Sequence, residues 1–217
     1  MSVLRAGLAR YMTPERMDAL AAAHVGLVGA GGLGSNCAMM LARSGVGRFT
    51  IADFDSVEAS NLNRQAYMPS DVGNAKVAAL ARYLQALNPA IQLCIHTMRV
   101  TPENALALFA NCSIVVEAVD SAPDKAMLYA VFAPVKALYV TASGLAGLGG
   151  EGGARMHIRR PRANVVAVGD FSRGVSDAHP PLAPRVMQAA AMQADAVLAH
   201  ILSSVEGQGE HHAEQTS

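Results

Sequence analysis

Val25-Gly26-Leu27-Val28-Gly29-Ala30-Gly31-Gly32-Leu33-Gly34 is the stretch whose reading decides the fold. A short apolar run, Val25 to Val28, leads into a cluster of glycines, as a short buried strand does at its end. Ser35 to Arg43 then reads as a helix stopped by Gly45. A G-x-G-x-x-G between strand and helix is a phosphate-binding turn. Gly29, Gly31, Gly32 and Gly34 let backbone approach a ligand, and the helix N-terminus offers free N–H groups and partial positive charge. The plainer alternative is that these glycines serve only tight strand–helix packing.

Working outward, Tyr11 to Ala23 reads as a helix with Thr13 as N-cap and Pro14 at its first position. Arg48 to Ala52 reads as a second strand, Asn74 to Leu87 as a helix, and Ile91 to His96 as a third strand. A helix begins near Thr101, and Ser113 to Val119 is a fourth strand. Asp124 to Pro134 is a helix and Leu138 to Ala142 a fifth strand. This alternation predicts an α/β, Rossmann-like doubly wound, mainly parallel sheet with helices on both faces. After a glycine-dense Ser143–Gly153, Met156–Arg159 and Asn164–Val168 suggest an antiparallel C-terminal extension. A long loop from Gly169 to Pro184 leads to an amphipathic helix, Arg185 to Ser203. One domain over residues 1–205 is expected, with a polar, disordered tail from Glu206 to Ser217.

The 217 residues are 52% apolar and 16% charged, which suits a compact α/β domain. Lys+Arg and Asp+Glu are both 17, a net charge of zero that argues against a nucleic-acid surface. Lacking charge repulsion, such a chain is a plausible homodimer. No secretory signal and no membrane-length apolar run is recognised, so a cytoplasmic protein is expected. Cys37, Cys94 and Cys112 form no C-x-x-C pair, so no zinc site is expected, and all three read as buried core thiols. The seven histidines show no metal spacing and read as structural or solvated.

Asp53 lies 19 residues after Gly34 (53 − 34), the position of a ribose-binding acid in a Rossmann unit. A solvated strand end would explain it too. To this point ATP and a nicotinamide cofactor are served equally. The block Ser60-Asn61-Leu62-Asn63-Arg64-Gln65, with Lys76 opening the next helix, separates them. Hydride transfer has no need of two cations facing a triphosphate. Attack of a carboxylate on the α-phosphate does, because charge develops on the phosphoryl oxygens and the departing pyrophosphate. Either cation alone would be read as an ordinary solvated charge. Asp120, at the end of the fourth strand, could hold Mg²⁺ against phosphates, or cap the following helix together with Ser121.

These motifs, with Asp53-Phe54-Asp55, Gly73-x-x-Lys76 and Val119-Asp120 in that order, make the chain resemble the ThiF/MoeB/HesA group of ubiquitin-activating-type adenylyltransferases. The resemblance covers about Leu8 to Ala142. Further on, Gly169-Asp170-Phe171 and Leu182-Ala183-Pro184-Arg185-Val186 look like the short ThiF branch of thiamine biosynthesis. The resemblance implies that Gly32, Asp53, Asn61, Arg64, Gln65 and Lys76 contact ATP and that Asp120 binds Mg²⁺. It implies an arginine reaching the phosphates from the opposite subunit of a dimer, Arg10 first and Arg5 second. Its partner is a ThiS-like sulfur carrier protein whose C-terminal glycine carboxylate becomes an acyl-adenylate. The paired zinc cysteines of many relatives are missing, as is any cysteine after Cys112. The loops Ser143–Gly153 and Asp170–Pro184 are expected to line the channel for the carrier's tail. Three other readings stay open: a carboxylate on a tRNA base as acceptor, a nicotinamide-binding oxidoreductase, and a silent member that only binds the carrier.

Overall fold

The computed structural model describes residues 2–148, 155–172 and 174–214. Two helices open the chain, α1 (Val3–Leu8) and α2 (Pro14–Ala22). The sheet elements follow as β1 (His24–Val28), α3 (Gly32–Arg43), β2 (Arg48–Ala52), α4 (Lys76–Leu87) and β3 (Gln92–His96). Then come α5 (Ala105–Leu108), β4 (Ile114–Glu117), α6 (Ala122–Phe132), β5 (Leu138–Ala142), β6 (His157–Arg162), β7 (Val165–Gly169) and α7 (Ala183–Glu214). The strands form one sheet in the order β3-β2-β1-β4-β5-β7-β6. All pairings are parallel except β6 with β7. The doubly wound parallel sheet is therefore as expected, and the antiparallel extension is a hairpin whose inner strand joins the same sheet.

The helices cover both faces. Leu27, Phe49, Ile51, Val116 and Val140 pack with α3, α4 and α7, while Val28, Val115 and Tyr139 pack with Phe109 and the α6 residues Leu128 and Phe132. On α4 the buried Val77, Leu80, Ala81 and Leu84 repeat at i, i+3, i+4 and i+7, which gives the helix one apolar stripe. On α7 the buried residues are small, with Ala189, Ala190, Ala194 and Val197 among them, so its backbone lies close to α3. Thr13 caps α2 as expected, its Oγ1 accepting from the Arg16 N–H. Helix α1, capped by Ser2, was not expected; six residues with no buried position leave too little periodicity to read. Helix α7 runs to Glu214, past Ser203, so helical backbone continues into the stretch expected to be a tail. Adding residues to an existing helix costs little once its first turn is made. No helix of the described residues is long and apolar enough to cross a membrane.

One expectation about burial needs correcting. Cys94 is exposed, whereas Cys37 and Cys112 are buried. Burial pushes the Cys37 thiol up to about 12, which makes it an inert core group. Cys94 differs because β3 is an edge strand; its Sγ lies 3.3 Å from His96 Nε2. The edge strands β3 and β6 are largely exposed, whereas β1 and β4 are buried.

Asp71, in the connection from β2 to α4, is buried and holds three donors: the Met68 N–H at 2.8 Å, Arg82 Nη2 at 2.7 Å, and the Tyr83 hydroxyl. Burial alone would raise its carboxyl, but these bonds hold it below the usual range. A depressed native value means stability present above the unfolded-state value and lost as pH falls through the native one. Tyr83→Phe should cost about 1–2 kcal/mol near neutral pH and flatten the acid limb of the stability profile. Urea unfolding at pH 7 and pH 3 checks both; an equal cost at the two pH values would contradict the assignment.

Candidate nucleotide-binding site

The glycine turn lies between β1 and β4, where the strand order reverses. In open α/β sheets this switch point, beyond the carboxyl ends of the strands, is where ligands bind. Gly29 has φ +99°, and a Cβ placed on it would come 2.7 Å from the Ala118 carbonyl oxygen after β4. A Cβ on Gly34 would fall 1.9 Å from the Gly29 carbonyl oxygen. Glycine is thus required at both positions by close backbone approach, and the packing reason for these residues holds alongside any ligand.

Asp53 Oδ2 accepts from the Ala30 N–H at 2.6 Å and Oδ1 from the Asp55 N–H at 2.8 Å. Burial pushes the Asp53 carboxyl above its ordinary range, against the pull of those two N–H groups and of Lys76. Lys76 opens α4 with a buried side chain, and its Nζ meets Asp55 Oδ2 at 2.7 Å. Asp55 therefore serves as the anchor of Lys76. Tyr67, which the sequence did not single out, locks this corner: its buried hydroxyl donates to a carbonyl and bridges Ala30 O at 2.7 Å and Lys76 O at 3.1 Å.

The polar block is laced to the same turn. Asn36 Nδ2 donates to Gly32 O at 2.6 Å and to Arg64 O at 2.9 Å. Ser35 Oγ donates to Gly31 O at 2.7 Å and accepts from the Ala66 N–H at 3.1 Å. Arg64 Cγ would lie 3.5 Å from a Cβ on Gly32, so this arginine stands directly over the phosphate turn. Its Nη1 is held by Ser60 O at 3.1 Å and Asn63 Oδ1 at 2.8 Å. Asn61 is buried and spends its Oδ1 on the Glu58 N–H at 3.1 Å. Gln65 is buried beside Gly31, and its Oε1 has no partner. A buried amide oxygen left unpaired is costly, which points to a ligand group or water at that spot. The sequence assigns Ser35, Asn36 and Tyr67 no role of their own, because each also bonds a backbone group far along the chain.

Asp120 follows Ala118 and Val119 at the same rim, is exposed, and has no hydrogen bond or ion pair among the described residues. Ser121, not Asp120, caps α6, its Oγ accepting from the Asp124 N–H at 3.4 Å. Arg10 lies in the exposed turn after α1. Leu8 of that helix packs on Gly45, beyond the far end of α3. A 12-residue helix spans about 18 Å, so Arg10 is not brought to the phosphate turn of its own chain. Arg5 pairs with Asp18 at 2.5 Å. Among the described residues no group of three or more His, Cys, Asp or Glu could hold a metal ion.

Two loops flank the site. Asn63 Nδ2 donates to Pro181 O at 3.2 Å, and the Gly147 N–H to Pro180 O at 3.0 Å. A buried ion pair, Asp170 with Arg185, ties the end of β7 to the start of α7. Val186, one residue on, reaches Gly32. Residues 149–153 and Arg173, which belong to the expected tail channel, lie outside the described residues.

Comparison with known proteins places this geometry. A sulfur carrier protein adenylyltransferase of Thermus thermophilus is 42% identical over 113 residues, 52% of this chain and 42% of that protein. The tRNA threonylcarbamoyladenosine dehydratase of Escherichia coli is 37% identical over 143 residues, 65% of this chain and 53% of its own length. The chain thus spans about half or less of these curated relatives. The crystal structure of the E. coli dehydratase TcdA in complex with ATP superposes with a TM-score of 0.77 at 24% identity, over 94% of this chain and 95% of that one, a likeness of fold. The ThiF family model matches residues 5–215, nearly the whole length. The chain belongs to the ThiF family.

Proposed function

We propose that this protein binds ATP at the switch point and adenylates the C-terminal glycine carboxylate of a ThiS-like sulfur carrier protein. The observation that carries the reading is the placement of Arg64 over the phosphate turn, with Lys76 held beside Asp53 by Asp55. Asp53 accepts from the ribose hydroxyls, and the N-terminus of α3, with Gly29, Gly31, Gly32 and Gly34, takes the phosphates. Asn61 and Gln65 complete the wall, the unpaired Gln65 amide facing the ligand. A carboxylate oxygen of the carrier attacks the α-phosphorus, the bond to the β-phosphate oxygen breaks, and pyrophosphate leaves with both electrons of that bond. Arg64 and Lys76 stabilise the charge that develops there.

Mg²⁺ bound to phosphates commonly keeps its waters and takes only one or two carboxylates, so the single exposed Asp120 fits the role of its protein ligand. Such an ion would screen the triphosphate. Arg10, unpaired among the described residues, is the better candidate for an arginine acting across a homodimer, since Arg5 is engaged with Asp18. The reading extends to a cytoplasmic enzyme of thiamine biosynthesis. The family membership and the T. thermophilus relative support the adenylation chemistry; the nicotinamide alternative has no such support.

ATP–pyrophosphate exchange that depends on a small protein ending in Gly-Gly tests the proposal; ATP binding without carrier-dependent exchange would point to the silent alternative. A second reading, activation of a carboxylate on a tRNA base, is favoured by the superposition on TcdA along nearly the whole of both chains. The flanking loops would form the channel for the carrier's tail. Deleting residues 173–177 should weaken carrier binding by about tenfold or more, the loss of roughly 1.4 kcal/mol, and leave ATP affinity unchanged. Isothermal titration of each ligand checks this, and unchanged carrier affinity would refute it.

A further inference from the structure

The zero net charge conceals an uneven distribution. Arg155, Arg159, Arg160 and Arg162 fall within eight residues, and no acidic residue occurs from 152 to 169. All four are exposed, and none has a carboxylate partner among the described residues. They lie on or next to β6, the last strand of the sheet, whose six residues are all exposed. The strand pairs antiparallel with β7, His157 opposite Gly169 and Arg162 opposite Val165. The arginine row therefore starts at the rim where the nucleotide site opens and runs down the edge of the sheet.

Two of these arginines lie over rings, Arg162 over Tyr129 at 5.9 Å and Arg159 more closely. Arg159 stacks on Phe171, its Cζ 4.1 Å from the ring centroid. Its Nε donates to His157 Nε2 at 3.3 Å, and the His157 ring sits 5.0 Å from the same phenylalanine. With Nε2 accepting, His157 Nδ1 carries the proton and donates to Arg155 O at 3.2 Å. Arg159 is exposed, and among the described residues its terminal amino groups have no hydrogen-bond partner, so a stacked guanidinium is left for bidentate contact with phosphate. Phe171 adopts φ 59°, a left-handed conformation uncommon outside glycine.

We infer that the β6 edge is a docking surface for the phosphate backbone of an RNA. The goal of charge on an edge strand is often only to block unwanted pairing, and Pro161 serves that end. Blocking, however, needs neither a single sign of charge nor a stacked guanidinium. A protein partner adding a strand here would meet Pro161, which lacks an N–H, and the register shift between Arg159 and Arg162. A duplex DNA groove takes a helix or a two-stranded ribbon, whereas only one strand, roughly 20 Å long, is free here. Folded RNA is recognised largely through its shape and phosphates, which a narrow arginine ridge can follow. The inference goes beyond the adenylation reading and does not depend on it.

The test is fluorescence anisotropy of labelled unfractionated tRNA with the full chain, without ATP, from 50 to 200 mM salt. Four phosphate contacts predict a log–log slope of roughly −3 and a loss of about 50-fold in affinity across that range. Arg160→Glu with Arg162→Glu should lower the slope magnitude by about 2 and weaken binding at least tenfold at 100 mM salt. Arg43→Glu, on an exposed position of α3, should change neither. Circular dichroism verifies folding of each variant. Absence of binding at 50 mM salt would overturn the inference. So would binding that survives the double reversal, or loss that Arg43→Glu reproduces. Because no ATP is present, failure of pyrophosphate exchange leaves this result untouched, and the reverse holds too.

Discussion

Arg64→Ala is expected to slow carrier-dependent ATP–pyrophosphate exchange by about 10²–10³-fold, the size of losing one group aimed at developing charge. The fold should tolerate the change. The guanidinium is held by Ser60 O and Asn63 Oδ1 at the surface, and no buried partner is left unpaired. The Asn36 bond goes to the Arg64 backbone carbonyl, which alanine retains. Tm should therefore stay within about 2 °C, because exposed contacts contribute under about 1 kcal/mol. Lys76→Met is a poorer probe, because it strips Asp55 of its cation and disturbs the corner that Tyr67 bridges. Exchange at near wild-type rates in Arg64→Ala would remove the reason for reading a triphosphate at this turn.

The largest effect on stability is expected at Asp170 and Arg185. Both side chains are almost wholly inaccessible to solvent, and each is the other's ion-pair partner. Asp170 Oδ1 also accepts from the Ser172 N–H at 2.8 Å and its hydroxyl at 3.1 Å. Removing one charge breaks a buried ion pair, which costs about 3–5 kcal/mol. Arg185→Leu or Asp170→Leu should then lower Tm by roughly 6–20 °C. The double change Asp170→Leu with Arg185→Leu should cost clearly less than the sum, since both charges are removed together. Urea unfolding of the four proteins completes the cycle; single changes under about 1 kcal/mol would show that the pair carries little. The same singles should weaken ATP binding, because Val186 beside Arg185 reaches Gly32.

The parallel core was legible because each strand and helix announces itself locally. Val25–Val28 is apolar and meets glycine, and α4 carries its stripe at helical spacing. The gathering of the glycine turn, Asp53 and the Val119–Asp120 segment was legible too, since strand ends in such a sheet share one rim. What was not legible came from pairings across many residues. Tyr67 bridging Ala30 and Lys76, Asn36 joining Gly32 to Arg64, and Asn63 reaching Pro181 are each a side chain bound to a distant carbonyl. A main-chain carbonyl carries no sequence signature. The Cys94 error has a related origin: a thiol in a strand looks buried until the strand proves to be an edge.

By itself the sequence determined the order of elements, the parallel winding and the residues that crowd the nucleotide rim, because hydrophobic period, glycine and chain order act over a few residues. Only the tertiary structure decided which strands are edges, and that Asp55 rather than solvent holds Lys76. It alone set Arg10 at the far end from its own phosphate turn and made the arginine-rich segment an exposed edge strand. Those outcomes depend on which faces end up covered, and coverage is a property of the packed whole.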